Sequence, residues 1–278
     1  VFMSKLLSTL CFLSLLGFCK AQDHRLQKDF NRGRFYIYWG WNWDAFTDSD
    51  IHFKGEDYNF SLRDVKARDR QVDFNSENYL SLSNMTIPQY NYRLGYFINE
   101  NWDLSIGMDH MKYVVQQEQD VRIDGEINGT LGRYDGIYDN DLITITKDFL
   151  QFEHTDGLNY ANFEIRHTNM LYEIKQMRLS LVKGFGGGLL IPKTNSSLLG
   201  KPRYDAFHIS GYGLATVVGL NFNFYNRFFI QTEFKGGFID MPDIRTTPAA
   251  IDRASQHFYF AQINVVLGAV YNIGRHFK

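Results

Sequence analysis

Cysteine is nearly absent from the chain. Only two of its 278 residues are cysteines, Cys11 and Cys19, so no disulfide and no cysteine metal site is expected beyond that point. After the first twenty or so residues, no apolar run approaches the roughly 18 residues of a spanning helix, which excludes a helical membrane protein. An excess of one charge sign is missing too: 29 basic and 31 acidic side chains nearly cancel, which argues against a nucleic-acid-binding protein.

Residues 1–21 have the composition of a secretory signal peptide. Lys5 supplies the positive start, an apolar stretch follows, and small side chains stand before the predicted cleavage site after Ala21. Residues 22–32 would then form a short polar periplasmic lead-in. Lipidation of Cys19 is the alternative, which the bulky residue before it disfavours.

Aromatic residues are plentiful, at 16% of the sequence, and they take part in a repeated alternation. Apolar and polar side chains alternate with a period of two, which places them on opposite faces of β-strands. Eight segments carry this pattern: 34–43, 88–98, 102–115, 160–166, 178–186, 208–224, 228–237 and 262–273. The pattern predicts an all-β protein.

The connections between these segments alternate in length. Those at 99–101, about 168–175 and 225–227 are short, whereas those at about 44–87, 116–157, 190–207 and 239–257 are long. This rhythm predicts that residues 33–278 form a closed, antiparallel, eight-stranded transmembrane β-barrel with short periplasmic turns and long extracellular loops. Alternation within the first two long loops, at 51–62 and 142–145, predicts hairpins that extend the barrel.

The polar faces of the predicted strands carry charges of both signs interleaved with glycines. An eight-stranded barrel is just wide enough for side chains to fill it, so these residues are predicted to neutralise one another in the lumen: Arg93, Asp103, Asp109, Glu164, Arg166, Arg178, Glu233 and Lys235. The apolar faces then meet lipid. A soluble barrel would show the same alternation with the opposite orientation, but its surface would have no evident use for the glycines.

Aromatic residues cluster near both predicted membrane interfaces, as girdles of transmembrane barrels do. The predicted girdle comprises Trp39, Trp41, Trp43, Trp102, Tyr212, Phe224 and Tyr271.

Three motifs resemble those of outer-membrane β-barrel proteins of Bacteroidota. They are Trp39-Gly40-Trp41-Asn42, the segment Ile87 to Tyr92 (IPQYNY), and the segment Phe152 to Tyr160 (FEHTDGLNY). The ending, Tyr271 to Lys278, is similar to the terminal signal read by the barrel-assembly machinery, although it closes on lysine instead of an aromatic residue. The resemblance implies a small eight-stranded barrel in the outer membrane of a Gram-negative bacterium and says little about activity.

Two groups of residues could carry chemistry. His154 and Asp156 lie where the second long loop returns to the barrel, and a histidine beside a carboxylate can act as a general base; the alternative is that they hydrogen-bond the loop to the rim. His208 and Ser210 resemble the His-x-Ser part of the lipid A deacylases, on a face predicted to meet lipid. No carboxylate is predicted on the lipid face of a neighbouring strand, so a rim histidine beside a small residue is the favoured interpretation.

Alternating acidic residues in the loops, such as Asp44, Asp48 and Asp50, could bind a hard cation, but their spacing fits solvated loops better. No metal ion or cofactor is therefore predicted.

The sequence thus favours a non-enzymatic outer-membrane barrel with a plugged lumen. It would act through its external loops, in envelope integrity, in surface interaction or as an accessory subunit of a larger outer-membrane complex. An enzyme acting on outer-membrane lipid is the alternative, and a small diffusion channel a weaker one. Expected partners are outer-membrane lipid and lipopolysaccharide, and the barrel-assembly machinery during biogenesis; no nucleic acid is expected.

Overall fold

The computed structural model describes residues 31–272, with gaps at 74, 81–87, 131, 155–156 and 205. The predicted signal peptide, most of the lead-in and the last six residues lie outside the described residues, and so does Asp156. Within the described part of the chain, no helix is long and apolar enough to cross a membrane.

The all-β prediction is confirmed. The described residues form strands β1 to β16 and one short helix, α1: β1 Arg34–Phe46, β2 Ser49–Lys54, β3 Tyr58–Val65, β4 Ala67–Arg68, α1 Ser76–Leu80, β5 Tyr90–Phe97, β6 Trp102–His110, β7 Tyr113–Val115, β8 Asp120–Ile127, β9 Gly136–Thr144, β10 Leu150–His154, β11 Tyr160–Ile174, β12 Met177–Leu190, β13 Asn195–Leu198, β14 Gly211–Phe224, β15 Phe228–Arg245 and β16 Arg253–Asn272.

Eight of these strands pair antiparallel in a cycle, and we call them the ring. The order of pairing is β1-β5-β6-β11-β12-β14-β15-β16, and β16 pairs with β1 again. In β1, for example, Trp39 lies opposite Tyr92 of β5 and opposite Leu267 of β16. Each ring strand overlaps one of the segments in which the sequence alternates. The predicted short connection at about 168–175 was wrong in extent, because β11 continues to Ile174 and β12 begins at Met177.

The two faces of the ring differ sharply in polarity. Phe234 and Leu267 are about half exposed on the outer face. Arg93 and Glu164, by contrast, are only 1% and 2% exposed, and both point into the enclosed space, which we call the lumen. The charged side of the alternation is therefore the inner side, the orientation that the glycine-rich polar faces predict.

The remaining strands form a second region at the long-connection end, which we call the cap: β2, β3, β4, β7, β8, β9, β10 and β13. The hairpin of β2 and β3 pairs with the first residues of β16 and so continues the sheet, and β8 and β9 extend it further. The order β13-β10-β7-β4 makes a separate small sheet. Three of the predicted long loops, 44–87, 116–157 and 190–207, thus contain regular strands, including the hairpins predicted from alternation.

The cap has an ordinary hydrophobic core. Phe53 and Phe60 lie opposite one another on β2 and β3, with ring centroids 5.3 Å apart. Phe149 and Phe152, from the segment leading into β10 and from β10 itself, pack against them. All four are essentially inaccessible to solvent, so removing apolar surface from water stabilises the cap.

The fourth predicted long connection, at about 239–257, is wrong in extent. Strand β15 continues to Arg245 and β16 begins at Arg253, which leaves only 246–252 between them. The register shifts between Met241 and Ile244, so Pro242, which cannot donate a ladder hydrogen bond, falls in an irregularity. That irregularity interrupts the period of two and conceals the rest of the strand in the sequence.

Candidate functional site

Glu164 is the centre of a buried ion-pair network in the lumen. Its Oε1 lies 2.8 Å from Arg93 Nη2 and 2.8 Å from Lys235 Nζ, and its Oε2 lies 2.6 Å from Arg166 Nε. The four residues come from β5, β11 and β15, and each faces inward because strand side chains alternate. One carboxylate thus connects cations from three strands across the lumen.

Two further carboxylates complete this network. Glu233 Oε1 lies 2.5 Å from Arg166 Nη1, and Asp109 Oδ2 lies 2.6 Å from Lys235 Nζ. The Tyr38 hydroxyl accepts a hydrogen bond from Arg166 Nη2 at 3.0 Å. Three cations and three carboxylates therefore neutralise one another, which a buried set of charges requires.

The other two residues predicted for this network lie apart from its ion pairs. Asp103 is buried in the lumen, where its carboxylate accepts a hydrogen bond from the Tyr36 hydroxyl at 2.7 Å. Arg178 is near the short-turn end, where its guanidinium pairs with Glu173 across the hairpin of β11 and β12, at 2.7 Å. Arg178 thus has an ion-pair partner directly across its own hairpin, outside the ion pairs around Glu164.

Glycines of β12 make room for the network. A Cβ added at Gly186 would overlap the side chain of Glu164, and one at Gly184 would come within 2.9 Å of the Arg166 side chain. The two glycines lie directly opposite those residues in the β11–β12 register. Gly184 and Gly186 therefore belong to the packing of the lumen.

An aromatic cluster, which the alternation of the sequence did not indicate, lies in the lumen towards the short-turn end. It comprises Tyr36, Tyr38, Phe97 and Phe229, packed with Val266. Phe229 lies on the inner face of β15, between two outward residues, as the period of two requires. In the sequence, however, Phe228, Phe229 and Ile230 form a continuous apolar run, which hides the change of face. This cluster and the ion pairs both lie in the lumen.

His154 is a core histidine of the cap. Its ring packs near Tyr113 and Phe152, and its Nδ1 lies 3.0 Å from the Thr194 hydroxyl. Burial lowers the pKa of His154 to about 3. A fully buried, neutral imidazole has no access to a substrate, so the geometry favours the structural interpretation over a general base.

His208 has a carboxylate partner that the sequence analysis did not anticipate. Its Nε2 lies 3.0 Å from Asp243 Oδ2, and Arg253 binds the other oxygen of Asp243 at 2.6 Å. Asp243 lies within the irregular part of β15, between Met241 and Ile244, so the alternation of the sequence did not indicate its position. Ser210, however, is only 1% exposed, and its hydroxyl is oriented towards the His208 carbonyl oxygen at 3.5 Å. The expectation that Ser210 faces lipid is wrong.

The predicted girdle residues lie on the outer face of the ring. Trp102, Tyr212 and Tyr271 are exposed, and Phe224 is partly exposed. The three tryptophans of β1 are also partly exposed, and the Trp39 and Trp41 rings contact each other edge to face at 5.0 Å.

The outer face of the β8–β9 hairpin carries isolated apolar side chains. Ile137 and Leu142 are 86% and 64% exposed, whereas Tyr138 and Ile143 pack on the cap core. Ile137 and Leu142 are five residues apart, so they would lie on opposite faces of a regular strand. They are both exposed because β9 is irregular around Asn140, whose φ is 56°. Among the described strands, β9 pairs only with β8 and forms the end of the sheet.

No protein-family model matches the chain, and no curated protein matches it in sequence. Several solved structures are similar to it, including these three. The outer-membrane protein OprG from Pseudomonas aeruginosa is 10% identical over 88% of this chain and 98% of that one, with a TM-score of 0.40. The outer-membrane protein AlkL, solved in lipid bilayers, is 9% identical over 94% and 100%, also with a TM-score of 0.40. Ail, the attachment invasion locus protein of Yersinia pestis, is 10% identical over 84% and 99%, with a TM-score of 0.25.

Proposed function

We propose that the chain is an outer-membrane protein of a Gram-negative bacterium, whose ring is a closed, eight-stranded transmembrane β-barrel. The polarity of the ring carries this proposal, because the charged network of its inner face is buried and its outer face exposes mainly aliphatic and aromatic side chains, with Lys183 as an exception. Such a surface is stable in lipid and would associate in water. Export through a signal peptide at residues 1–21 and insertion by the barrel-assembly machinery belong to the proposal.

Cell fractionation tests the location. The protein should sediment with outer membranes and, if the barrel is closed, migrate faster in unheated than in boiled detergent gels. Recovery as a soluble protein after removal of membranes would contradict the proposal.

We propose further that the barrel conducts no solutes. The buried ion pairs around Glu164 and the aromatic cluster that includes Phe229 both occupy the lumen. Planar bilayer recordings of the purified protein should show no steady conductance. A stable, voltage-independent current step in the wild type would support the alternative, a diffusion channel.

We assign partner binding to the cap, which would lie outside the membrane. We place the contact on the outer face of the β8–β9 hairpin, around Ile137 and Leu142. Asp135, Asp139 and Asp141 lie close to these apolar residues in the sequence, so a complementary partner would present apolar residues with Lys or Arg around them. A second envelope protein of that chemistry fits the role of accessory subunit.

Site-specific photo-crosslinking tests this surface. A photoreactive residue at 137 or 142 should capture the same partner in intact cells, and Ile137→Asp should abolish capture from 142. Ile251, exposed in the connection between β15 and β16, is the matched control position. Equal capture from 251 or no capture from either hairpin position would contradict the assignment.

A lipid-modifying enzyme is the second candidate, and the His208–Asp243 pair favours it. A histidine hydrogen-bonded to a carboxylate supplies two of the three members of a catalytic triad. The hydroxyl of Ser210, however, is buried and is oriented towards the His208 carbonyl oxygen. Mass spectrometry of lipid A should show the same acyl chains with wild type, with His208→Ala and with no gene. A loss of acyl chains that depends on His208 would favour the enzyme.

A further inference from the structure

Two carboxylates meet at the junction of the ring and the cap. Asp44 lies near the end of β1, and Asp69 follows β4 in the cap. The Asp44 amide donates a hydrogen bond to Asp69 Oδ2 at 2.9 Å, and the Gln89 side-chain amide contacts both carboxylates, reaching Asp44 Oδ2 at 3.2 Å. Two acidic groups from separate regions thus share one small volume.

Within the described part of the chain, no lysine, arginine or histidine forms an ion pair with either carboxylate. Lys235, which points into the same lumen, pairs with Asp109 and Glu164. The hydrogen bonds to the two carboxylates come from the backbone amide of Asp44 and from the side-chain amides of Gln71, Gln89 and Gln262. Both aspartates are partly buried. Removing two like charges even partly from water with only neutral partners is costly, and a bound cation lowers that cost.

Two unpartnered oxygens belong to inner-face residues next to Asp44. Gln262 lies opposite Asp44 in the β1–β16 register, and its amide nitrogen donates to Asp44 Oδ1 at 2.9 Å. Its own Oε1, on a side chain with 0% exposure, has no hydrogen-bond partner, and neither has Oδ1 of Asn42, which is 1% exposed. Asn42 precedes Asp44 by two residues and therefore shares its inner face.

We propose that Asp44, Asp69, Asn42 and Gln262 form a binding site for a divalent cation, calcium in particular. The two carboxylates and the two free amide oxygens supply up to six oxygen ligands, the number and type that Ca²⁺ takes in flexible sites. The amide nitrogens of Gln71 and Gln89 remain on the carboxylates and orient them, as outer hydrogen-bond partners of metal ligands do. The ion would fasten the cap to the mouth of the ring, because Asp69 belongs to one and Asp44 to the other.

Terbium luminescence tests the site. Tb³⁺ replaces Ca²⁺ on oxygen ligands and is sensitised by nearby tryptophan, which Trp43 provides next to Asp44 in the sequence. Purified protein, stripped with chelator, should give a saturable Tb³⁺ signal that Ca²⁺ displaces. Asp44→Asn and Asp69→Asn should each weaken Ca²⁺ binding by about tenfold or more. Asp50→Asn, in an exposed pair with Arg63, should leave it unchanged.

If an aspartate variant fails to fold, variants of Gln262 test the cation site instead, beginning with Gln262→Glu. A third carboxylate in the same position should tighten Ca²⁺ binding, and Gln262→Leu should weaken it. The proposal is overturned by a wild type that binds no Ca²⁺ at millimolar concentration, or by binding that is indifferent to Asp44, Asp69 and Gln262 alike. Both outcomes leave the membrane location and the partner surface to their own tests.

Discussion

The ring and the cap use the same two-residue alternation with opposite polarity. In the ring, Arg93 is buried and Phe234 is exposed; in the cap, Phe60 is buried and Arg63 is exposed. The strands themselves do not differ in pattern, so alternation alone does not say which face is inside. We attribute the difference to the surrounding medium: in the proposed membrane location, lipid accepts the apolar face of the ring, whereas water accepts the polar face of the cap.

The difference also changes what stabilises each region. The cap has a core of buried phenylalanines, which the hydrophobic effect holds together. The lumen instead contains buried charges, which must all be paired, and removing one partner leaves another charge uncompensated. The ring should therefore be most sensitive to loss of a charge, and the cap to loss of apolar volume.

The largest effect is expected for Arg166→Met. This change deprives Glu233 of its only ion-pair contact in the network and Glu164 of one of three, at a cost of about 3–5 kcal/mol. Urea unfolding of the protein in lipid vesicles measures it. Ile165→Met, at the neighbouring outward position, is the matched control and should cost less than about 1.5 kcal/mol. A greater loss at Ile165 than at Arg166 would reverse the assignment of the two faces.

The second prediction separates the two regions. Phe60→Ala should destabilise the cap by about 3–5 kcal/mol, because it leaves a cavity in the core. Hydrogen exchange should accelerate in β2 and β3 while β12 and β14 remain protected. Asn59→Ala, on the exposed side of the same strand, is the control. Simultaneous opening of the ring would show that the two regions unfold as one unit.

The third prediction concerns the outer face of the ring. Phe234→Arg places a charge in the middle of the apolar belt, beside Val218 and Ile263, and should cost about 2–4 kcal/mol in a bilayer. The same residue introduced by Asn59→Arg in the cap should change stability by less than about 0.5 kcal/mol. Folding titrations into vesicles measure both, and equal costs would contradict a lipid-facing Phe234.

The sequence predicted well where the strand is regular. A period of two is enough to place Arg93, Glu164 and Lys235 on the inner face, because any slip by one residue would expose them. It did not reveal Asp243 beside His208, because the irregularity after Met241 shifts the register.

Long-range pairing was also beyond the sequence. The contact between Asp44 and Asp69 depends on how the cap folds back over the ring, and no local pattern encodes it.

The fourth prediction uses His154 to probe the cap alone. Its pKa is lowered from 6.5 to about 3 by burial, so between those values the unfolded cap binds a proton that the folded cap does not. Stability of the cap should be fully present above pH 6.5 and fall as the pH drops, by up to about 1.4 kcal/mol per pH unit. Hydrogen exchange of β10, corrected for intrinsic rates, measures this. His154→Gln should flatten the dependence, while His257→Gln, at an exposed position, should not.

The smallest effect is expected for Arg178, although its charge and strand position resemble those of Arg166. Its partner Glu173 is 41% exposed at the short-turn end, where water or lipid headgroups can replace the lost contact. Arg178→Gln should therefore cost less than about 1 kcal/mol in the same vesicle unfolding assay. A cost near that of Arg166→Met would mean that the lumen network extends to this end of the ring, and that burial alone does not separate the two arginines.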